Sequence, residues 1–114
     1  KAVVYAIKAG NLRRLSLAYL NRADILVNLQ DYPAALKNCD TAIVYAEQIK
    51  NNDGLGRIYS IMNGVYRNLK QYEQAFAALN KSNDFFSLSK NRQMIAMNYS
   101  EQADILLILN QPEN

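Results

Sequence analysis

The side chains able to do covalent or acid–base chemistry are few in this 114-residue chain. It contains no histidine and one cysteine, Cys39. This composition excludes Ser-His-Asp and Cys-His nucleophile pairs, His-ligated zinc and an internal disulfide. The remaining candidates are the carboxylates of Asp24 and Asp104 and the guanidinium groups of Arg57 and Arg67. We predict that the chain is not an enzyme and that it holds no cofactor or metal.

The charge pattern excludes two further classes of partner. Thirteen Lys and Arg residues face ten Asp and Glu residues, a net charge of +3, and the signs alternate along the chain, so nucleic acid is not the expected partner. No stretch reaches the roughly 18 to 20 apolar residues of a membrane span. The short apolar run over residues 2–7 has no processing site behind it and is not a signal peptide.

The two ends of the sequence predict a piece of a longer protein. The chain lacks an initiator Met and stops abruptly at Asn114. A missing targeting signal in such a piece leaves the compartment of the parent protein open. The cytoplasm is slightly favoured over a membrane-anchored or exported parent.

Side chains of the same type return every 40 residues, which indicates an internal repeat. The tetrapeptide over residues 23–26, Ala-Asp-Ile-Leu, recurs over residues 103–106. Single residues recur in three copies: Asn11, Asn51 and Asn91; Tyr19, Tyr59 and Tyr99; Leu29, Leu69 and Leu109. The repeat predicts an architecture built by stacking one structural unit.

Each 40-residue unit has the pattern of two helices. The clearest apolar stripe has helical spacing and consists of Leu55, Ile58, Tyr59, Met62, Val65, Tyr66 and Leu69. We expect Asp53 to cap this helix and a break near Gln71. In the first copy, the pattern predicts helices over about residues 12–30 and 33–50, with Asp31 as the cap of the second and Pro33 in its first turn.

Turns of a few residues require neighbouring helices to be antiparallel and in contact. The alanines at positions 34, 35 and 75 suit the close approach of two helix axes. The pattern resembles the tetratricopeptide repeat family. The matching residues are Tyr59, Met62, Asn63, Tyr66, Tyr72, Ala75, Leu79 and Ser82 in the middle copy, and Tyr19, Arg22, Ala23, Leu26, Tyr32, Ala35, Cys39 and Ala42 in the first.

The resemblance covers essentially the whole chain and implies an all-α solenoid of antiparallel helix pairs. It divides a single domain, residues 1–114, into the end of a preceding second helix (1–10), repeat 1 (11–50), repeat 2 (51–90) and the first helix of repeat 3 (91–114). Arg22 and Gln102 replace the Leu that the family prefers, Asn63 replaces Gly or Ala, and no Pro closes either repeat. The period of 40 resembles long-helix variants found in bacterial regulators and sensor proteins and in motor-cargo adaptors.

In the resembled family, the face of each first helix that does not pack on its partner lines a peptide-binding groove. The groove residues implied here are Asn21, Asp24, Asn28, Arg57, Ser60, Gly64, Arg67, Asn68, Glu101 and Asp104. Asn28 and Asn68 could hold a peptide backbone, or serve only as solvated helix-end residues. Arg57 and Arg67 could bind an acidic side chain or a C-terminal carboxylate, or simply face solvent.

Two functional classes follow. The first is a protein- or peptide-binding scaffold, the sensory or docking part of a larger bacterial regulatory or signalling protein. The second is a structural spacer or self-association module without a peptide ligand. The apolar run over residues 105–109 predicts a last helix that frays or associates with another copy of the chain. Asp24 and Asp104 lie two repeats apart, so packed helices would separate them by about 20 Å, too far for paired catalysis.

Overall fold

The structure, a computed structural model, describes residues 2–111, with side chains from Lys8 onward. This part of the chain consists of five helices and contains no strand, which confirms the all-α prediction. The helices are α1 (Ala2–Asn28), α2 (Tyr32–Gln48), α3 (Asn52–Asn68), α4 (Tyr72–Leu88) and α5 (Arg92–Leu109). Three residues separate consecutive helices, so neighbouring helices run antiparallel.

The four turns share one helix-ending geometry. The second turn residue, Gln30, Lys50, Lys70 or Lys90, has a positive φ of 52–64°. The N–H of the next residue donates to the carbonyl five residues back, at 2.8–2.9 Å, which satisfies carbonyls that a helix end would leave without a partner. The helices predicted to end near residues 30 and 50 therefore stop two residues earlier.

Side chains cap three of the helices. Asp31 accepts from the Ala34 N–H at 3.4 Å, as predicted. Asn51 accepts from Gly54 at 3.1 Å, and Asn91 from Met94 at 3.2 Å. The prediction that Asp53 caps α3 is wrong because Asn51 takes that place. Asp53 instead accepts from the Asn91 amide at 2.9 Å and ties the start of α3 to the start of α5.

The predicted boundary between residues 10 and 11 is also wrong. Residues 10, 50 and 90 are equivalent in the repeat, but Gly10 does not adopt the positive φ of Lys50 and Lys90. The helical hydrogen-bond ladder consequently runs through position 10, and α1 continues from Ala2 to Asn28. Residues 2–10 thus belong to the same helix as the start of repeat 1 and not to a separate preceding helix.

The core lies between paired helices, α1 with α2 and α3 with α4, and further contacts join α2 to α3, α4 to α5 and α1 to α3. The structure is elongated, 62 × 30 × 16 Å. Of the three alanines that the packing argument named, Ala35 and Ala75 are fully buried and Ala34 is half-buried. Further small residues are fully buried on the second helices. They are Cys39, Ala42 and Ala46 on α2 and Ser82 on α4.

Equivalent aromatic residues form equivalent contacts in the two helix pairs. Tyr19 stacks on Tyr45 with ring centroids 5.9 Å apart, and Tyr59 stacks on Phe85 at 5.7 Å. Both members of the second pair lie 40 residues after those of the first. Tyr99, the third copy, is 61% exposed, and no helix of the described chain covers it. The repeated tyrosine therefore lies in the same packing environment in the first two copies and not in the third.

A hydroxyl group bridges each helix pair at equivalent positions, but in opposite directions. Ser16 of α1 donates to the Ala42 carbonyl at 3.1 Å. In the next pair, Ser82 of α4 donates to the Gly56 carbonyl at 2.7 Å. Both hydroxyls are buried, and each donates to a backbone carbonyl of the partner helix. These hydrogen bonds set the axial position of one helix relative to the other.

The contact between α4 and α5 is unusually polar. Asn98 is buried and its amide donates to Ser82 Oγ and Asn83 Oδ1, both at 2.9 Å. Gln102, also buried, donates to Asn80 Oδ1 at 2.8 Å. Ile105 is the fully buried apolar residue of α5 and packs with Ala75 and Leu79. Hydrogen bonds between amides thus hold α5 at positions where α3, packed on α2, carries the apolar residues Ile58 and Met62.

Replacing either of two glycines of α3 with alanine should change the free energy of unfolding, in opposite directions. A Cβ built on Gly56 would lie 2.7 Å from the ring of the buried Phe86, whereas one on Gly64 would meet no atom within 4 Å. We expect Gly64→Ala to raise the free energy of unfolding by about 0.5–1 kcal/mol through helix propensity. Gly56→Ala should lower it by about 1–2 kcal/mol, because overpacking outweighs that gain. Denaturant unfolding of both variants checks the signs, and a stabilised Gly56→Ala variant would contradict this packing.

Candidate functional site

The first helices of successive units, α1, α3 and α5, share one side of the molecule, called here the α1/α3/α5 face. A depression of about 260 Å³ lies where all three helices contribute side chains. Its lining residues are Leu20, Asn21, Asp24, Arg57, Ser60, Ile61 and Met94. It combines an apolar wall with one cation, one anion and neutral hydrogen-bonding groups.

A second depression, of about 390 Å³, lies farther along α3 and α5. Its lining residues are Gly64, Arg67, Asn68, Tyr72, Glu101 and Ile108. Gly64 has no side chain and a Cβ there would meet no atom. The helix backbone is consequently open to a ligand at this point, at the cost in helix propensity that glycine carries in a helix interior.

Eight of the ten predicted groove residues line these two depressions. Asn21, Asp24, Arg57 and Ser60 lie in the first, and Gly64, Arg67, Asn68 and Glu101 lie in the second. Asn28 and Asp104 line neither. Asp24 and Asp104 are therefore not brought into one depression. The lining residues outside the ten are Leu20, Ile61 and Met94 in the first depression and Tyr72 and Ile108 in the second. Tyr72 was singled out from the sequence only for the family resemblance.

The two arginines of the face differ in their surroundings. Arg67 forms a salt bridge with Glu101, Nη1 to Oε1 at 3.3 Å, and the same oxygen accepts from the Asn63 amide at 3.4 Å. Arg67 is thus partly neutralised across the α3–α5 gap. Among residues 2–111 this is the single salt bridge, so Arg57 forms no salt bridge with Asp24, the acidic residue that shares the first depression.

Asn28 and Asn68, the two asparagines considered for binding a peptide backbone, lie in different surroundings. Asn68 donates to the Gly64 carbonyl of its own helix at 2.7 Å, so its amide group is turned along α3. Asn28 is exposed at the last position of α1 and outside both depressions. The neutral polar side chains that line the first depression are Asn21 and Ser60.

A larger depression, of about 480 Å³, lies away from this face, between α1 and the end of α2. Its cations are Lys8, Arg13 and Lys50, next to Gln48 and Ile49. Basic side chains beside the carbonyl end of a helix offset its negative dipole. The positive charge of these side chains complements the negative dipole at the end of α2.

Cys39 takes no part in either depression of the face. It is fully buried on α2, and burial, followed by the charge of Asp40, raises the pKa of its thiol to about 12. The thiol is therefore protonated at neutral pH and is not a nucleophile. Within the described residues no group of three or more Cys, Asp or Glu side chains could hold a metal ion.

None of the helices from residue 2 to residue 111 has the length and apolar character needed to cross a bilayer. No family model matches the chain, and comparison with curated proteins and with solved structures finds no similar protein. We therefore infer function from the geometry of the α1/α3/α5 face.

Proposed function

We propose that the chain is a tetratricopeptide-like helix-pair solenoid that docks a protein or peptide on its α1/α3/α5 face and performs no chemistry there. One observation supports this proposal above the others: side chains from α1, α3 and α5, the first helices of successive units, line the same 260 Å³ depression. Stacked helical repeats bind partners through such a surface, made of equivalent positions on successive units.

The chemistry of the face favours an extended segment with mixed character. Leu20, Ile61 and Met94 offer an apolar wall, while Arg57, which forms no salt bridge in the described residues, offers a cation beside it. A peptide with an apolar side chain next to a carboxylate would match both features. The neighbouring Asp24 disfavours a strongly acidic segment, because two carboxylates would then face each other.

Charge reversal at Arg57 tests the docking role. Peptides selected from a displayed random library on the wild-type chain should bind the Arg57→Glu variant at least about tenfold more weakly, a change of about 1.4 kcal/mol in binding free energy. Thermal unfolding should be unchanged, because Arg57 is exposed and forms no salt bridge in the described part of the chain.

Lys37→Glu is the matched control. Lys37 is an exposed residue of α2 outside the face, so its reversal changes the net charge equally and should leave peptide affinity unchanged. The competing function, a structural spacer, predicts that no library peptide distinguishes the two variants. That result would contradict the docking proposal.

A further inference from the structure

One side of α5 carries a second surface, distinct from the α1/α3/α5 face. Four residues spaced by three, four and three positions share this side of the helix: Ala96, Tyr99, Ala103 and Leu106. All four are exposed, Tyr99 by 61% and Leu106 by 44%. They are called here the α5 seat. The seat carries no charge and alternates small with large side chains.

The equivalent positions of the other first helices are covered by a second helix. On α1 they are Ser16, Tyr19, Ala23 and Leu26, and on α3 they are Gly56, Tyr59, Asn63 and Tyr66. The first and third positions are buried in both cases: Ser16 (4% exposed) and Ala23 (0%) on α1, and Gly56 and Asn63 on α3. Small residues there let the partner helix approach closely, and the tyrosine stacks on an aromatic ring of that partner.

The α5 seat is nearly a copy of the α1 surface on which α2 packs. Tyr, Ala and Leu are the same at three of the four positions, and Ala96 replaces Ser16. The residues of α2 that meet this surface are small: Ala42 accepts from Ser16, and Cys39 and Ala42 lie in one apolar cluster with Ala23. Because the α5 seat matches the α1 surface, α2, which packs on that surface, is the model for a helix that binds the seat.

We propose that the α5 seat binds one amphipathic helix of α2 chemistry, running antiparallel to α5. Its inner side carries small residues at the spacing of Ala35, Cys39, Ala42 and Ala46, and an aromatic residue at the position of Tyr45 stacks on Tyr99. The seat continues the row of interfaces that α1 forms with α2 and α3 with α4. It is independent of docking on the α1/α3/α5 face, because no residue of the seat lines a depression of that face.

The probe for this site is a synthetic peptide of residues 31–50, which comprises α2 and its Asp31 cap, acetylated and amidated at its ends. Labelled peptide should bind the 114-residue chain saturably at concentrations up to about 1 mM, the weak end of measurable affinity. Ala103→Glu places a carboxylate in the centre of the seat and should weaken binding at least tenfold. Tyr99→Ser should weaken it as well, and both residues are exposed, so the fold is retained.

Two controls separate the seat from other binding. Ser100→Glu adds the same charge to α5 at an exposed position outside the seat and should leave peptide affinity unchanged. A peptide with Ala42→Glu should not bind. A peptide that merely displaced α2 from α1 would bind the Ala103→Glu variant as well as the wild type.

Three results would overturn the proposal: no saturable binding, binding that is insensitive to both seat variants, or a dimer of the chain that Ala103→Glu dissociates. The last would assign the seat to a second copy of the chain. The outcome is separable from the docking proposal, because Arg57→Glu leaves the seat untouched.

Discussion

Phe86→Ala is expected to lower the free energy of unfolding by about 3–5 kcal/mol. Phe86 is the largest fully buried side chain, with 0% of its surface exposed. It fills the space opposite Gly56, where a Cβ would already lie 2.7 Å from its ring. Truncation leaves a void between α3 and α4, which the Ser82 hydrogen bond to the Gly56 carbonyl holds together. For a domain of this size the loss is a large share of the total stability.

A double-mutant cycle makes this test specific. Gly56→Ala should destabilise the wild type, but in the Phe86→Ala background the new methyl group enters the void and the same substitution should stabilise. Denaturant unfolding of the four proteins measures the coupling. Additive effects, or a loss below about 1 kcal/mol for Phe86→Ala alone, would show that the α3–α4 contact is placed wrongly.

Asn98→Asp is expected to cost about 3–5 kcal/mol at pH 7. The substitution keeps the shape of the side chain but removes the two hydrogen bonds that the Asn98 amide donates to Ser82 and Asn83. It also places a negative charge at a position that is 1% exposed. The two former acceptors, Ser82 Oγ and Asn83 Oδ1, would then face the new carboxylate.

The pH dependence of this variant has a definite sign. Burial should raise the pKa of the introduced carboxyl group above its ordinary value of about 3.9. Its deficit relative to wild type should therefore shrink as the pH falls through that raised pKa, where the group becomes neutral. Asn98→Ala is the control, since its deficit should not vary with pH. A tolerated Asn98→Asp variant at pH 7 would contradict the amide network between α4 and α5.

The helices and their pairing could be predicted because the chain repeats its packing residues every 40 positions. Tyr19 and Tyr59 fall on the same side of their helices by spacing alone, and the structure places both in aromatic stacks. Alanines at the start of each second helix predicted close contact between helix axes, and Ala35 and Ala75 are fully buried. The 40-residue period of the packing residues is thus enough to predict the helices and their pairing.

The helix ends could not be predicted in the same way, because they depend on backbone conformation more than on residue type. Glutamine and lysine adopt the left-handed conformation in all four turns, while Gly10, the residue best suited to it, stays within α1. Asn51 and Asp53 are both good caps by composition. Only the observed direction of the α3 backbone shows that Asn51 accepts from Gly54.

The candidate site was predictable as a face but not as a set of contacts. Spacing placed Asn21, Arg57 and Ser60 on one side, and the first depression joins them. The pairing of Arg67 with Glu101 depends on the distance between α3 and α5, which no single-helix pattern contains. Gln102, noted in the sequence only as a departure from leucine, forms part of the buried amide network for the same reason.

Backbone NMR of the isotopically labelled chain with a library-selected peptide tests docking on the α1/α3/α5 face most directly. If the peptide docks there, we expect amide shift changes to concentrate on α1, α3 and α5, around Asn21, Ser60 and Arg67. Residues of α2 and α4 that face away, such as Lys37 and Lys81, should be unaffected. Amide shift changes centred on α2 and α4, with none around the two depressions, would contradict docking on the α1/α3/α5 face.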